Sequence, residues 1–292
     1  MSDKNGILLI NKPVGITSHD VVGIMRKVFQ TKKIGHAGTL DPGATGVMVL
    51  GINQATRLTE YLMSDEKEYI ASFYFGEERD TQDKYGEITA TCELPQLTRT
   101  EFENVLKSFL GEQLQTPPMY SAIKKDGKPL YKYARQNITV EGIEDRKIFI
   151  FELECLDFTN KKASIRIHCS KGTYIRTLCQ DIARKCGSCG TLSDLKRIKA
   201  GTFNIEQCLD IEDIKSLNNP YEILIPMNHV LDLPQLIIHS EDTAMDIWNG
   251  KKIECSLYYE TPTLIQIVYN EHLIAIGTVE KDIFTPKKVF HI

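Results

Sequence analysis

The chain has 292 residues, 42% of them apolar and 25% charged, enough to bury a large core with one main domain and a smaller one. It has no low-complexity tract, no short repeat and no apolar run near the ~20 residues of a membrane helix, which excludes fibrous, disordered and helical membrane classes. The net charge of −4 argues on its own against a polyanionic partner, but it hides an asymmetry: residues 21–40 carry Arg26, Lys27, Lys32 and Lys33 with no acid, and residues 161–199 carry ten Lys or Arg against Asp181 and Asp194. If these basic stretches meet in the fold they form a phosphate-tracking groove; if they do not, each is a solvated face.

The polar start, Met1–Gly6, shows no signal or transit pattern, so the cytoplasm is the expected compartment. Ile7–Ile10 reads as a strand, and Ser18 caps a helix whose apolar positions Val21, Val22, Met25, Val28 and Phe29 recur at helical spacing. Val47–Leu50 is a short buried strand. Asn53 opens a helix to about Met63, Glu68–Phe75 alternates as a strand, and Asp80–Gly86 is turn-rich. Thr98-x-x-Glu101 is a capping box ahead of a helix bearing Phe102, Val105, Leu106, Phe109 and Leu110, ended by Gly111.

Residues 117–145 interleave Pro117, Pro118, Tyr120, Lys124, Lys125, Lys128, Tyr131, Lys132, Tyr133 and Arg135. That texture suits stacking on bases and neutralising phosphates, and equally a plain amphipathic hairpin. Arg146–Phe158 and Ala163–Cys169 are strands, and Thr173–Lys185 is a helix whose stripe of Ile175, Leu178, Cys179, Ile182 and Ala183 leaves Arg176 and Arg184 at or beyond the edge of the buried face. From Leu233 onward short β segments follow, such as Leu264–Tyr269 and Leu273–Val279, and a domain boundary falls near residue 232. Eight cysteines without a secretory signal read as reduced thiols. Cys186 and Cys189 lack the two further ligands that zinc requires and read as small residues at a helix end.

The segment Gly35-His-Ala-Gly-Thr-Leu-Asp-Pro-Gly-Ala-Thr-Gly46 sits between a helix and a buried strand and is built for backbone shape. Pro42 pushes Asp41 into an extended conformation and fixes where its carboxylate points. Neither Gly-Lys-Ser/Thr nor GxGxxG is present, so the loop is not a phosphate cradle. Taken alone, Asp41-Pro42 reads as an Asx turn.

With its neighbours the segment resembles the signature loop of the TruB family, synthases that make pseudouridine in the T arm of tRNA. Asn11–Ser18, Thr116–Ala122, Leu130–Arg135 and Ser170–Thr177 match family motifs in the same order, so the resemblance spans residues 6 to about 231. It implies an α+β pseudouridine synthase fold, a mixed, mainly antiparallel sheet flanked by helices and loops, over residues 1–232, with an RNA-gripping insertion at about 117–145. A small β-rich PUA-like domain would occupy 233–292. The implied reaction isomerises uridine at position 55 in the T loop without cofactor or metal, on a tRNA flipped open at a cost of ~a few kcal/mol. No obligatory protein partner, a monomeric state and no membrane contact are expected.

By the same resemblance Asp41 is the catalytic carboxylate, whether it attacks the sugar, attacks the base or stabilises a glycosyl cation. Arg176 is its ion-pair partner, keeping it ionised under a stacked base. Tyr69 stacks on the target base and moves a proton in the final step. His36 contacts RNA, Lys12 and Tyr174 support the loop, Leu195 covers the base, and Lys124 and Lys132 bind phosphates. Three alternatives stand beside this reading: a tRNA-folding chaperone with modification secondary, a guide-RNA-dependent dyskerin-type synthase, and a thiol or zinc protein using Cys186 and Cys189.

Overall fold

The computed structural model describes residues 4–63, 66–136 and 138–291; the first residues of the polar amino terminus and Asn137 of the insertion lie outside the described residues. From the amino terminus, β1 (Gly6–Lys12) leads to α1 (Ser18–Val28), β2 (Ile34–His36), β3 (Ala44–Ile52), α2 (Thr59–Leu62) and β4 (Lys67–Phe75). A hairpin of β5 (Glu77–Arg79) and β6 (Ile88–Thr91) precedes α3 (Arg99–Lys107) and β7 (Gly111–Gln115). The insertion carries a second hairpin, β8 (Lys124–Lys125) and β9 (Lys128–Pro129), and then α4 (Leu130–Ala134). The long pair β10 (Arg146–Phe158) and β11 (Lys162–Cys169) follows, with α5 (Ile175–Lys185), β12 (Gly190–Ala200), β13 (Phe203–Asn204) and α6 (Ile211–Ser216) behind it. The carboxyl-terminal part comprises β14 (Gln235–Ile238), α7 (Glu241–Trp248), β15 (Ile253–Tyr269) and β16 (His272–Val289).

Among the described residues nine strands form one sheet in the order β1-β3-β12-β4-β11-β10-β7, with β2 beside β3 and β13 beside β12. Every pairing in it is antiparallel except β3 with β12, which sets Leu195, Lys196 and Arg197 beside Ala44, Thr45 and Gly46. This is the mixed, mainly antiparallel α+β sheet expected. The basic stretches therefore end on β2 and β12, which both pair with β3 on the edge opposite β1.

One face of the sheet packs on α3 and α5 through Phe73, Phe75, Phe102, Ile165, Ile167, Leu178 and Ile182. Another cluster closes α1 over β1 and β3, where Val21, Val22 and Met25 meet Leu8, Ile10, Met48 and Leu50. Each such fully buried side chain contributes about 1.5–3 kcal/mol. The carboxyl-terminal three-stranded sheet and α7 have their own apolar cluster, and Leu273, Ile276 and Phe290 also pack on Ile7, Leu9 and Val47 of the main sheet.

Several local expectations change. Thr17, not Ser18, caps α1: its hydroxyl accepts from the Asp20 backbone while the Asp20 carboxylate accepts from the Thr17 N–H. Ser18 is released to bond to Leu40 of the Gly35–Gly46 loop. The expected helix from Asn53 is a 3-10 run, Asn53–Leu58, followed by a single α turn, because the Thr56 and Thr59 hydroxyls donate to carbonyls three residues back. The carboxyl-terminal strands are 17 and 18 residues long, not short. Register shifts around Tyr259 and Thr263 accommodate Pro262 inside β15. The thiols are not all free either: Cys92, just after β6, and Cys189, just before β12, form a disulfide, both hydrogen-bonded to the Gly76 backbone, with Cα atoms 5.5 Å apart. Cys189 therefore cannot pair with Cys186 as a thiol.

Gly46 has φ of +103°, and a Cβ there would stand 2.1 Å from the Arg197 carbonyl oxygen. Only glycine permits the β3–β12 crossing at this point. Gly46→Ala is expected to cost about 2–4 kcal/mol, from left-handed strain plus overpacking. Gly15→Ala (φ +92°, open space) should cost only about 1 kcal/mol. Urea midpoints of the two variants check this, and equal losses would refute it.

Candidate active site

The loop from Gly35 to Gly46 is pinned from three sides. The Ser18 hydroxyl donates to the Leu40 carbonyl and accepts from the Leu40 N–H, both at 2.9 Å. Gly15 N–H donates to the Pro42 carbonyl. Lys12, fully buried, donates from Nζ to Ala44 O at 2.7 Å, Pro13 O at 2.9 Å and Pro42 O at 3.4 Å. From the third side Arg197 Nε donates to Val47 O and Nη2 to Gly38 O. Burial drives the Lys12 ammonium down to about 8, against the pull of Asp41 and with a further push from Arg197.

Asp41 closes a tight turn through its backbone carbonyl, which accepts from Ala44 N–H at 3.0 Å. The carboxylate is not used by the turn. Its Oδ2 instead pairs with Arg176 Nε at 2.9 Å, and the side chain remains 40% exposed beside a narrow cleft. That decides between an Asx turn and a presented carboxylate in favour of the second.

Arg176 departs from the helical-wheel expectation: it is 5% exposed rather than at the edge of the buried face. The first turn of α5 is roofed by the Asp80–Gly86 turn and the start of the insertion, so the stripe is wider there than spacing alone suggests. Arg176 Nη1 donates to Thr81 O and Nη2 to Tyr120 O, both at 2.9 Å, and Thr177 and Gln180 both bond to Gln82. The helix itself begins two residues later than expected, with Tyr174 in the cap position. The Tyr174 backbone N–H and carbonyl are both engaged by the Gln115 amide.

The cleft beside Asp41 is lined by Gly43, Asp83, Tyr85, Leu192 and Leu195. Tyr85 lies against Gly43, where a Cβ would come within 2.3 Å of its ring. Tyr69 is buried on β4 opposite Arg197 of β12, and burial keeps its phenol above the usual range although the Arg197 charge pulls the other way. His36 ends β2; its Nδ1 is buried and makes no hydrogen bond among the described residues, and burial, Arg197 and His19 all lower its pKa. Thus Asp41, Arg176, Lys12, Leu195, Tyr69, Tyr174 and His36 converge on one loop and cleft. Lys124 and Lys132 do not: both are exposed on the insertion, and among the described residues neither bonds to the loop.

A larger cavity of about 190 Å³ lies between Asn5, Tyr221 and Met227 and the carboxyl-terminal His272 and Phe290. It contains none of these groups, and the chemistry points to the smaller cleft. Arg197, Asp83 and Tyr85 escaped the sequence reading. Arg197 sits in Lys-Arg-Ile-Lys, a pattern that signals a solvated strand, and only the glycine opposite it marks the crossing.

Comparison with known proteins follows the same residues. The family model described as the TruB family pseudouridylate synthase amino-terminal domain matches residues 26–175, and that of the tRNA pseudouridylate synthase B C-terminal domain matches 176–232. A relative from Alkaliphilus oremlandii, named tRNA pseudouridine synthase B, is 40% identical over 257 residues, covering 88% of this chain and 85% of its own. One of the same name from Hydrogenovibrio crunogenus is 37% identical, covering 99% and 94%. Among solved structures, a chain of a Cbf5–Nop10–Gar1 complex superposes with a TM-score of 0.75 at 23% identity, covering 100% of this chain and 86% of that one, a likeness of fold.

The depressed pKa of His36 has a consequence for stability. The unfolded chain binds this proton more readily than the folded one, so stability should fall as pH drops from 6.5 through the lowered folded value. His36→Asn should flatten that fall, read as urea midpoints at about pH 7.5 and 5.5. Identical slopes in both proteins would contradict the buried, unpaired ring.

Proposed function

Because the chain belongs to the TruB family of pseudouridylate synthases and is a tRNA pseudouridine synthase, we propose that it isomerises the uridine at position 55 in the T loop, with Asp41 at the reacting centre. The observation that carries the role of Asp41 is its ion pair with the buried Arg176: a carboxylate freed from its own turn, held at one oxygen and open to a cleft at the other. Family membership favours this reading over the guide-RNA-dependent dyskerin type.

In this reading the flipped base enters the cleft between Tyr85 and Leu195 and stacks on Tyr69. The bond from the ribose to N1 breaks, the base turns, and C5 rejoins the sugar. One carboxylate serves this sequence, and Asp41 Oδ1 is the oxygen left for it, since Oδ2 is held by Arg176. Lys12 keeps the loop in place. His36 contacts the RNA at the far end of the loop, and Tyr174 anchors the start of α5 below Arg176. The chain divides near residue 232 into a catalytic domain and a PUA-like RNA-binding domain, and the enzyme works in the cytoplasm as a monomer on the T arm.

Lys124 and Lys132 grip phosphates from the exposed face of the insertion, while Lys125 and Lys128 are engaged within it. Lys128 lies over the Tyr133 ring at 4.3 Å, and Lys125 is held by the carbonyls of Glu141 and Gly142. The double variant Lys124→Ala/Lys132→Ala should weaken tRNA binding and reduce the slope of log K against log salt by about 1.5. An unchanged slope removes both residues from the RNA contact.

The central test uses purified protein, an unmodified tRNA transcript and no added cofactor, with pseudouridine mapped by carbodiimide labelling and primer extension. A single stop in the T loop is expected. Asp41→Asn should abolish it while tRNA binding persists. A stop elsewhere, or none, refutes the T-loop assignment, and tRNA folding assistance surviving in Asp41→Asn would mark a separate chaperone role.

A further inference from the structure

Arg197 is 2% exposed, and among the described residues no carboxylate forms an ion pair with it. A buried guanidinium without a counter-ion is costly, so what it bonds to defines its use. Two of its contacts are carbonyls that flank the catalytic loop, Gly38 O at 3.3 Å and Val47 O at 2.8 Å. Across the β12–β4 pairing its direct neighbour is Tyr69, whose buried phenol lies within reach of the guanidinium charge. Arg176 spends its donors otherwise, on Asp41 and on the carbonyls of Thr81 and Tyr120. The two arginines thus serve different halves of the site.

We infer that Arg197 is a positioning residue for proton removal: it fixes the direction of the Tyr69 hydroxyl and stabilises negative charge on its oxygen, while tying that oxygen to the loop that carries Asp41. The inference rests on the reading in which Tyr69 moves the final proton. A guanidinium has no lone pair to offer, so the Tyr69 oxygen can only accept from it, and the phenolic proton must point away from Arg197. Burial holds the phenol above its usual range, and the adjacent cation opposes that without reversing it.

The step balances as follows. After C5 has joined the ribose, C5 still carries its hydrogen. Tyr69 first gives its phenolic proton to solvent; its oxygen then takes the C5 proton, the C5–H electron pair re-forms the C5=C6 double bond, and the C6=N1 π pair becomes a lone pair on N1. N1 takes a proton from water. Arg197 neither gives nor receives a proton.

The test compares Arg197→Met and Arg197→Lys with the parent and with Tyr69→Phe, on tRNA carrying either ordinary or 5-deuterated uridine. Arg197→Met is expected to lower kcat about 100-fold, the range for losing one donor to a developing anion, with little change in KM. C5–H removal should then limit turnover: a primary deuterium effect appears, and the rise of rate with pH moves to higher pH. Arg197→Lys should recover part of kcat and reduce the deuterium effect, and it keeps the test available if the Met variant does not fold. Adding Arg197→Met to Tyr69→Phe should cost little more. Loss of rate without a deuterium effect or pH shift, or equal defects in the Lys and Met variants, would overturn the inference and leave Arg197 a structural clamp. Full activity in Tyr69→Phe would instead overturn the role of Tyr69.

Discussion

The ion pair between Arg176 and Asp41 is the constraint on which the rest of the site depends. It is asymmetric: the cation is buried, its side chain 6% exposed, while the carboxylate stays 40% exposed. A guanidinium in that position is tolerable only when its donors are filled, and three separate segments fill them: the loop through Asp41, the hairpin turn through Thr81 and the insertion through Tyr120. The same side chain that holds the carboxylate thereby holds the turn and the insertion that roof it. Loss of the arginine would release all three at once, so its contribution to folding and to chemistry cannot be separated by removing it alone.

The second constraint is topological. A single parallel pairing, β3 with β12, inside an otherwise antiparallel sheet sets the loop before β3 against Leu195 and Arg197. The close approach needs a residue without a Cβ at Gly46, and the loop needs donors for carbonyls that no strand satisfies. Lys12, Gly15, Ser18 and Arg197 provide them from β1, the turn after it, α1 and β12. The loop is irregular in backbone and yet fixed in place, as presenting a carboxylate at a defined angle requires.

Much of this was legible in the sequence because local physics decided it. The capping box at Thr98 and Glu101, the alternation of Glu68–Phe75 and the glycine-rich loop each act over a few residues. What stayed hidden was decided by distant chain. The helical wheel left Arg176 at a surface edge because nothing in α5 announces the turn and insertion that cover its first turn. Arg197 looked like one more cation in a basic strand, since the carbonyls and phenol that bury it come from β3, the loop and β4. The Cys92–Cys189 pairing spans 97 residues and follows from how Gly76 joins the two segments, which no spacing rule encodes. Thr17 displaced Ser18 as the cap of α1 because Ser18 had a better use against Leu40, a partner 22 residues away.

The distribution of charge links these parts. The protein is net acidic, yet around one exposed carboxylate it buries Lys12, Arg176 and Arg197. Asp41 pairs with one of the three; Asp83 lines the same cleft and Asp20 acts on Lys12 from farther away, but among the described residues neither forms an ion pair with Lys12 or Arg197. A uracil detached from its ribose carries negative charge on the ring, so a pocket tuned only to the neutral substrate would stabilise the wrong state. On the proposed reading, fixed cations behind the loop favour the detached base without reorganising during the reaction. On the same reading, their burial keeps them from competing with the exposed Lys124 and Lys132 for phosphates, so that binding of the RNA and stabilisation of the base fall to separate sets of cations.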